Sequence, residues 1–337
     1  MTYAAVVITN YDSLKRYSNR TMFPLLISSF LAAAPIPKTV YEGQIAVMLR
    51  GKQPELVILM PSGREVKRVP LNDLNGTAYT VKLSYGGDRA LVTTMSPQAI
   101  AIGIRRYTSM AGYFVRLDGS EKPKELFESK LNLKWVLNRD ATIAYGTELD
   151  QEKAAKAKPT ELPTKAWSLD LKSGQYQPIP LPSEHLLIDI SHDDKTVLTW
   201  ARIDGKNRAS TAPTSTWKPT VITESVDYPH GLSPDGKKVF LMEYIGTDGK
   251  PSNRHAIHDL KTGERRTIHQ PEECDAIVAY SYGADGKRIA FVGYSQERTP
   301  NDNIVTYRLY VCNADGSNRK MILETKPGET IGDIDWR

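Results

Sequence analysis

Short apolar runs recur along the chain, and each follows a turn built from glycine or aspartate. The turns lie about 42 to 54 residues apart. Because such residues readily adopt the positive φ that tight hairpins need, each turn predicts two antiparallel strands around it. These first turns are Gly86-Gly87, Asp140-Ala141, Asp193-Asp194, Asp235-Gly236 and Asp285-Gly286.

A second turn follows about 30 residues after the first in four of these units. Segments typical of strands flank it, such as Tyr307–Cys312 before the last one and Lys320–Leu323 after it. Each unit therefore predicts four antiparallel strands, and four-stranded repeats of this length are typical of propeller blades. The unit at 185–225 has no clear second turn. The second turns are Asp118-Gly119, Ser173-Gly174, Thr262-Gly263 and Asp315-Gly316.

The two ends of the repeat region complement each other. The first apolar segment, Gln44–Leu49, matches the second strand of a unit, whereas Ile331–Arg337 resembles an isolated first strand. We predict that the last segment completes the N-terminal blade, because ring closure removes exposed sheet edges. The predicted fold class is all-β: a six-bladed β-propeller of four-stranded antiparallel blades. The blades are 40–72 plus 331–337, 75–130, 131–182, 185–225, 226–271 and 275–328.

Two of the repeats are similar to those of a known family. Leu232–Phe240 and Tyr282–Phe291, with Leu309–Gly316 after the second, resemble the repeat of TolB-type, WD40-like β-propellers. The resemblance covers roughly residues 40–337 and implies an architecture rather than one activity. TolB itself is a periplasmic partner-binding protein with an additional α/β domain ahead of its propeller. Residues 1–40 are too short for that domain, so the role of TolB is not carried over.

The N-terminal segment has the pattern of an export signal. Basic residues precede a thirteen-residue apolar run, 22–34, that ends in three alanines. We predict a signal peptide or leader at 1–34, a propeller at 35–337 and a periplasmic or secreted location. Pro35 and the long stretch before Met22 speak for the alternative, a buried first element. The run is too short to span a bilayer of ~30 Å, and no later stretch is apolar enough, so we expect no integral membrane span.

The net charge and the absence of known motifs argue against several classes of function. The 44 Lys and Arg against 39 Asp and Glu give a net charge of +5, with no run of five or more basic residues. We therefore expect no nucleic-acid partner. The sequence has no P-loop, dinucleotide fingerprint, EF-hand loop or Gly-x-Ser-x-Gly elbow. It identifies no catalytic residue, no metal ligand and no cofactor.

Candidate binding residues come from the predicted strand order. Both sets of turns fall on one face of the ring, and the connections between second and third strands share the opposite face with the blade connectors. We expect long loops there, at 96–112, 148–164, 244–254 and 295–305, and loops on a rigid scaffold often carry function. The charged loop 148–158 is interpreted as a solvated excursion, with a partner-docking helix as the alternative. The candidate binding residues are Arg105, Arg106, Tyr107, Tyr228, His230 and Arg298, because Arg and Tyr are enriched at binding hot spots.

The same topology bears on two further pairs. Cys274 precedes the first strand of its blade and Cys312 ends the third, so the two are expected to remain unpaired thiols. Asp333 and Asp335 share one face of the closing strand by alternation. They are expected to line the central channel, with cation binding as the alternative.

Two classes of function remain open. The first is an exported, non-catalytic β-propeller, expected as a monomer, that binds a protein or cell-envelope component through its loop face. The alternative is a propeller enzyme, a carbohydrate lyase or hydrolase, with its site at the mouth of the channel. A sensor of a small ligand is not distinguishable from the first.

Overall fold

The computed structural model describes most of the chain from residue 43 onward. The predicted leader, 1–34, lies outside the described residues. The described residues all belong to one compact unit, Tyr41–Arg337. The described ranges are 43–84, 86–102, 105–129, 132–158, 161–224, 228–244, 253–298 and 303–337.

The described residues form twenty-four strands and one short helix. The first twelve strands are β1 Ile45–Arg50, β2 Glu55–Leu59, β3 Glu65–Pro70, β4 Thr77–Leu83, β5 Arg89–Ile102, β6 Arg105–Arg116, β7 Lys124–Ser129, β8 Asn132–Leu137, β9 Ile143–Leu149, β10 Thr164–Asp170, β11 Tyr176–Ile179 and β12 His185–Ile190. The helix α1, Gln151–Ala154, lies between β9 and β10. The other strands are β13 Thr196–Ile203, β14 Lys206–Pro213, β15 Thr220–Thr223, β16 Tyr228–Leu232, β17 Lys238–Tyr244, β18 Asn253–Asp259, β19 Arg265–Ile268, β20 Ala276–Tyr282, β21 Arg288–Arg298, β22 Asn303–Asn313, β23 Lys320–Glu324 and β24 Thr330–Trp336.

The strands form six four-stranded antiparallel sheets, the blades of a propeller. Blade 1 has the order β24-β1-β2-β3, and blades 2 to 6 are β4–β7, β8–β11, β12–β15, β16–β19 and β20–β23. The first strand of every blade is innermost, and these strands contact one another around a central channel. The predicted six-bladed propeller is confirmed.

The ring closes as the sequence predicts. Strand β24 pairs antiparallel with β1, from Ile45 opposite Trp336 to Arg50 opposite Thr330. Two further backbone hydrogen bonds extend this ladder: Gln44 N donates to Arg337 O at 2.7 Å, and Arg337 N donates to Gln44 O at 3.0 Å. The last strand therefore joins the first blade to the rest of the ring.

A separate hydrophobic core fills each contact between neighbouring blades. In β1, Ala46 and Met48 pack toward blade 2, whereas Ile45, Val47 and Leu49 pack toward blade 6. Because both faces of a blade are covered, its inner strands are continuously apolar instead of alternating. This explains the uninterrupted apolar runs of the sequence. Trp336, on the closing strand, completes the core between blades 6 and 1.

The turns between first and second strands share a hydrogen-bonding pattern. Ser233 Oγ donates to Asp235 Oδ1 at 2.7 Å, and the same oxygen accepts from Lys237 N at 3.1 Å. Ser191, Asp193 and Lys195 repeat this arrangement in blade 4. The carboxylate thus holds the tight turn in a defined conformation, as short Asx turns do.

Two expected long loops are instead extensions of strands. Strand β5 reaches Ile102 and pairs with β6 as far as its first residue, Arg105, so 96–112 is mostly a hairpin. Strands β21 and β22 pair out to Arg298 and Asn303. Strand pairing satisfies backbone groups that a long loop would leave to water. In the charged loop 148–158, the helix α1 forms a single turn, capped by the Asp150 side chain.

Candidate functional site

The two ends of the central channel differ in character. Each innermost strand begins at the face that carries the blade connectors, which we call the loop face, and ends at the hairpin turns of the opposite turn face. The side chains of these strands therefore line the channel in layers from one face to the other. The loop-face end of this lining is the candidate site.

A buried ionic network closes the channel toward the turn face. Lys82 Nζ lies 3.4 Å from Asp335 Oδ1, and Arg337 Nε lies 3.1 Å from Asp335 Oδ2. The same Arg337 reaches Asp189 Oδ1 at 3.6 Å. Asp189 belongs to blade 4, directly opposite blade 1 in the ring, so this arginine crosses the channel. We call these four residues the ionic floor.

Backbone hydrogen bonds complete the floor. Asp335 Oδ2 accepts from Leu83 N at 2.8 Å, and Asp189 Oδ2 accepts from Leu232 N at 2.9 Å. Each carboxylate therefore ties its own inner strand to that of the next blade. Burial works against ionisation, but Arg337 and Lys82 hold the pKa of Asp335 below its ordinary value. Asp335 thus lines the channel, as the sequence analysis expected, and it does so as part of a buried network of ion pairs.

The loop-face end of the channel carries cations beside aromatic rings. The Arg50 guanidinium carbon lies 5.7 Å from the Tyr79 ring centroid, and Lys134 Nζ lies 5.8 Å from that of Tyr228. Both cations interact electrostatically with Asp333, whose Oδ2 accepts from Val81 N at 3.0 Å. We call Arg50, Tyr79, Lys134, Tyr228 and Asp333 the mouth. Burial raises the pKa of Asp333 above its ordinary value, and the nearby Lys82 and Lys134 partly offset this effect.

A bulge in every inner strand shapes this end of the channel. The register skips one residue in each of the six first strands, for example Tyr79 in β4 and Val278 in β20. These two side chains are 42% and 44% exposed, although their strands are the innermost of their blades. Bulges redirect side chains, and at Tyr79 the bulge accompanies an exposed aromatic ring beside Arg50. Gly332 is the skipped residue of the closing strand.

The structure distributes the sequence-predicted binding residues over three blades. Arg105, Arg106 and Tyr107 open β6 near the tip of the blade 2 hairpin, and exposed Arg298 ends β21 on the blade 6 hairpin. Blades 2 and 6 are the neighbours of blade 1, whose own loop-face connection between β1 and β2 is short. The hairpins thus stand on either side of blade 1. Tyr228, at the start of β16, belongs to the mouth.

His230 lies in an aromatic cluster that adjoins the mouth through Tyr228. Its ring lies 5.7 Å from Tyr228, 5.8 Å from Phe240 and 6.1 Å from His255, measured between centroids. Its Nε2 and the Nδ1 of His255 are buried and without a hydrogen-bond partner. Burial lowers the pKa of His230 to about 3 and that of His255 to about 4. Both imidazoles are therefore neutral at physiological pH.

These histidines predict a loss of stability in acid. In the unfolded chain an imidazole takes up a proton near its ordinary pKa of about 6.5, whereas both rings stay neutral in the fold down to about pH 4. Unfolding therefore binds protons between these values. Stability should fall from pH 6.5 to pH 4, and by pH 5 the loss is about 2 kcal/mol for each ring. Urea unfolding midpoints at pH 7 and pH 5 measure it.

Two matched variants separate this effect from general acid sensitivity. His230→Gln should reduce the difference between the two midpoints, because its amide does not titrate. His269→Gln, at an exposed position, should leave the difference unchanged. An equal pH dependence in His230→Gln and the unaltered chain would assign the acid loss to other groups.

Other side chains with reactive chemistry are held apart from the mouth. Cys274 and Cys312 are unpaired and buried, which confirms the prediction of free thiols. Burial raises the pKa of Cys312 to about 12. In the described part of the chain, no three or more His, Cys, Asp or Glu side chains form a group that could hold a metal ion. Nor is any helix in that part long and apolar enough to cross a membrane.

Sequence reasoning missed most of the mouth. Arg50 ends an otherwise apolar strand, and Lys134 interrupts another, so both stand out as charges within core segments. That signal was available, but it does not show that the two side chains reach the same opening. Of the mouth residues, the sequence had identified Tyr228 and Asp333.

Comparison with known proteins supports the fold. No family model matches the chain, and no curated protein matches it. Among solved structures, TolB from Acinetobacter baumannii superposes with a TM-score of 0.61 at 16% identity, over 88% of this chain and 67% of that one. A chain of a nidogen/laminin complex superposes with a TM-score of 0.58 at 10% identity, over 87% and 97%. The likeness confirms the TolB-type propeller fold that the repeats predicted.

Proposed function

We propose that this chain is an exported, non-catalytic propeller that binds a protein or cell-envelope component through its loop face. The observation that carries the proposal is the asymmetry of the channel. Its turn-face end is filled by the ionic floor, whereas the loop-face end has exposed Tyr79 with Arg50 beside it. Aromatic residues and arginine are the groups that dominate protein interfaces.

The two long hairpins of blades 2 and 6 also favour binding at the loop face. They contain the longest of the described strands, with β5 at 14 residues and β21 at 11. Rigid paired strands lose less conformational entropy on binding than flexible loops would. Both structural neighbours also fit a binding role: one is a TolB, and the other is a chain of a complex of two proteins. Export rests on the pattern of the N-terminal segment.

Affinity capture with two sets of variants tests the proposal. The tagged full chain is expressed in the source organism and recovered from the envelope fraction. A partner bound by the unaltered chain should be reduced at least tenfold with Arg105→Ala/Arg106→Ala/Tyr107→Ala. Arg266→Ala/Lys287→Ala, on the turn face, is the matched control and should retain the partner. Retention by the first variant and loss by the second would contradict loop-face binding, and absence from the envelope fraction would contradict export.

A further inference from the structure

We propose that the mouth recognises carboxylate groups on an acidic, extended segment of a protein partner, and that Arg50 and Lys134 make the two contacts. This inference rests on the proposed loop-face binding and names its chemistry. It is carried by the positions of the two cations, by their lack of an ion pair with any described carboxylate, and by the exposed aromatic ring beside Arg50.

Arg50 reaches the mouth because residue 332 is a glycine. A Cβ at this position would lie 2.4 Å from Arg50 Nε and 2.6 Å from Cζ, so the guanidinium lies flat against the bare backbone of the closing strand. From there its terminal nitrogen donates to Tyr79 O at 3.0 Å. The arginine of blade 1 is thereby held at the edge of blade 2, beside the exposed tyrosine ring.

Lys134 reaches the channel from a different blade. It belongs to the inner strand of blade 3, and its ammonium lies over the ring of Tyr228 in blade 5. Blade 4 separates these two blades in the ring, so the lysine side chain projects across the opening. Arg50 and Lys134 thus approach the channel from different blades.

Among the described residues, neither cation has a carboxylate as a direct ion-pair partner. No carboxylate in the described residues lies within 4.0 Å of the Arg50 guanidinium or the Lys134 ammonium. Asp333 is the shared acidic neighbour, but one of its oxygens accepts from a backbone amide and burial raises its pKa. Among the described residues of the mouth, one carboxylate faces two cations, so the mouth carries a net positive charge that is complementary to carboxylates.

The exposed apolar groups at this end of the channel favour a peptide over a small inorganic anion. Tyr79 and Val278 are both exposed at this end of the channel. A free phosphate would engage the cations but leave these groups in water. An acidic peptide can satisfy both cations with separate carboxylates while its backbone and apolar atoms cover the rings, which is the arrangement that favours an extended partner segment.

Selection from a peptide library tests the inference without knowledge of the natural partner. A random library displayed on phage is selected on the purified full chain and, in parallel, on Arg50→Gln/Lys134→Gln. Peptides enriched on the unaltered chain should contain an excess of Asp and Glu, and the excess should disappear on the double variant. The top peptide is then synthesised with a fluorophore, along with a version in which Asn and Gln replace Asp and Glu. Fluorescence anisotropy measures the affinity of the chain for each of the two peptides.

Two glycine substitutions provide a matched comparison. Gly332→Ala should displace the Arg50 guanidinium and weaken binding at least tenfold, as Arg50→Gln should. Gly51→Ala, next to Arg50 in sequence, brings its Cβ no closer than 3.5 Å to a neighbour and should change binding less than twofold. Binding of the acidic peptide should also weaken as salt is raised.

The outcomes separate failure of the mouth from failure of the loop face. Enriched peptides without an acidic excess, or equal binding by Arg50→Gln/Lys134→Gln, would overturn the inference. A different outcome is that binding is lost with Arg105→Ala/Arg106→Ala/Tyr107→Ala and kept by the mouth variants. That result would show that the mouth is not the binding site, while the proposal of loop-face binding would stand. If no peptide is enriched and no envelope partner is captured, both proposals fall.

Discussion

Asp335→Ala is expected to destabilise the protein by about 3–5 kcal/mol, because it leaves Lys82 and Arg337 buried without their shared carboxylate. The side chains of Asp335 and Arg337 are almost fully enclosed. The substitution also removes the acceptor for Leu83 N, which then has no partner in the channel. Denaturant unfolding of the unaltered chain and the variant measures the difference in free energy.

Two controls make this expectation specific to the ionic floor. Asp73→Ala removes an exposed carboxylate that pairs weakly with Lys122 at 3.9 Å, and it should change stability by less than about 0.5 kcal/mol. In a double-mutant cycle, Asp335→Ala and Arg337→Met together should cost less than the sum of the two single changes, since each alone leaves a charge unpaired. A cost below about 1 kcal/mol for Asp335→Ala would show that water or rearrangement compensates the floor.

Removal of residues 330–337 is expected to abolish cooperative folding. The deletion takes away the partner of β1 along its whole length. It also removes Ile331, Ile334 and Trp336 from the core between blades 6 and 1, together with two members of the ionic floor. Loss of one buried tryptophan alone costs about 3–5 kcal/mol, and a domain of this kind has about 5–15 kcal/mol in total.

Near-ultraviolet circular dichroism during heating distinguishes the outcomes. The truncated chain should show no sharp transition, while the unaltered chain should show one. A synthetic peptide of residues 329–337, added in excess, should restore part of the transition by pairing with β1. A truncated chain that melts cooperatively within about 1 kcal/mol of the full chain would show that the five remaining blades and the rest of blade 1 are stable without closure.

The architecture could be predicted from the sequence because its determinants are local. A turn such as Asp235-Gly236 fixes a hairpin by its own backbone preference, and the repetition of such turns gives the number of blades. Closure was also predictable, since Gln44–Leu49 lacked a first strand and Ile331–Arg337 lacked a second. The lengths of the strands were not predictable. The pairing of β5 with β6 beyond Met95 depends on cross-strand contacts that no local pattern reveals.

The mouth and the floor could not be predicted, because ring geometry alone assembles them. Lys134 meets Tyr228, and Arg337 meets Asp189, only because inner strands of blades that are not neighbours face each other across one channel. The bulges add a second obstacle. A one-residue shift in register reverses which side chains face the channel. No pattern in the sequence predicts the shift at Tyr79.

Closure by the last strand also has a consequence for synthesis of the chain. Strand β1 leaves the ribosome about 280 residues before its partner β24 does. At roughly 5–20 residues per second, its edge waits about 15 to 60 s without a partner. During this interval Ile45–Arg50 can pair with β2 on one side only, and its other edge is exposed, the type of edge that pairs with strands of other chains. The order of strands in the ring therefore leaves the nascent chain open to aggregation until β24 has emerged.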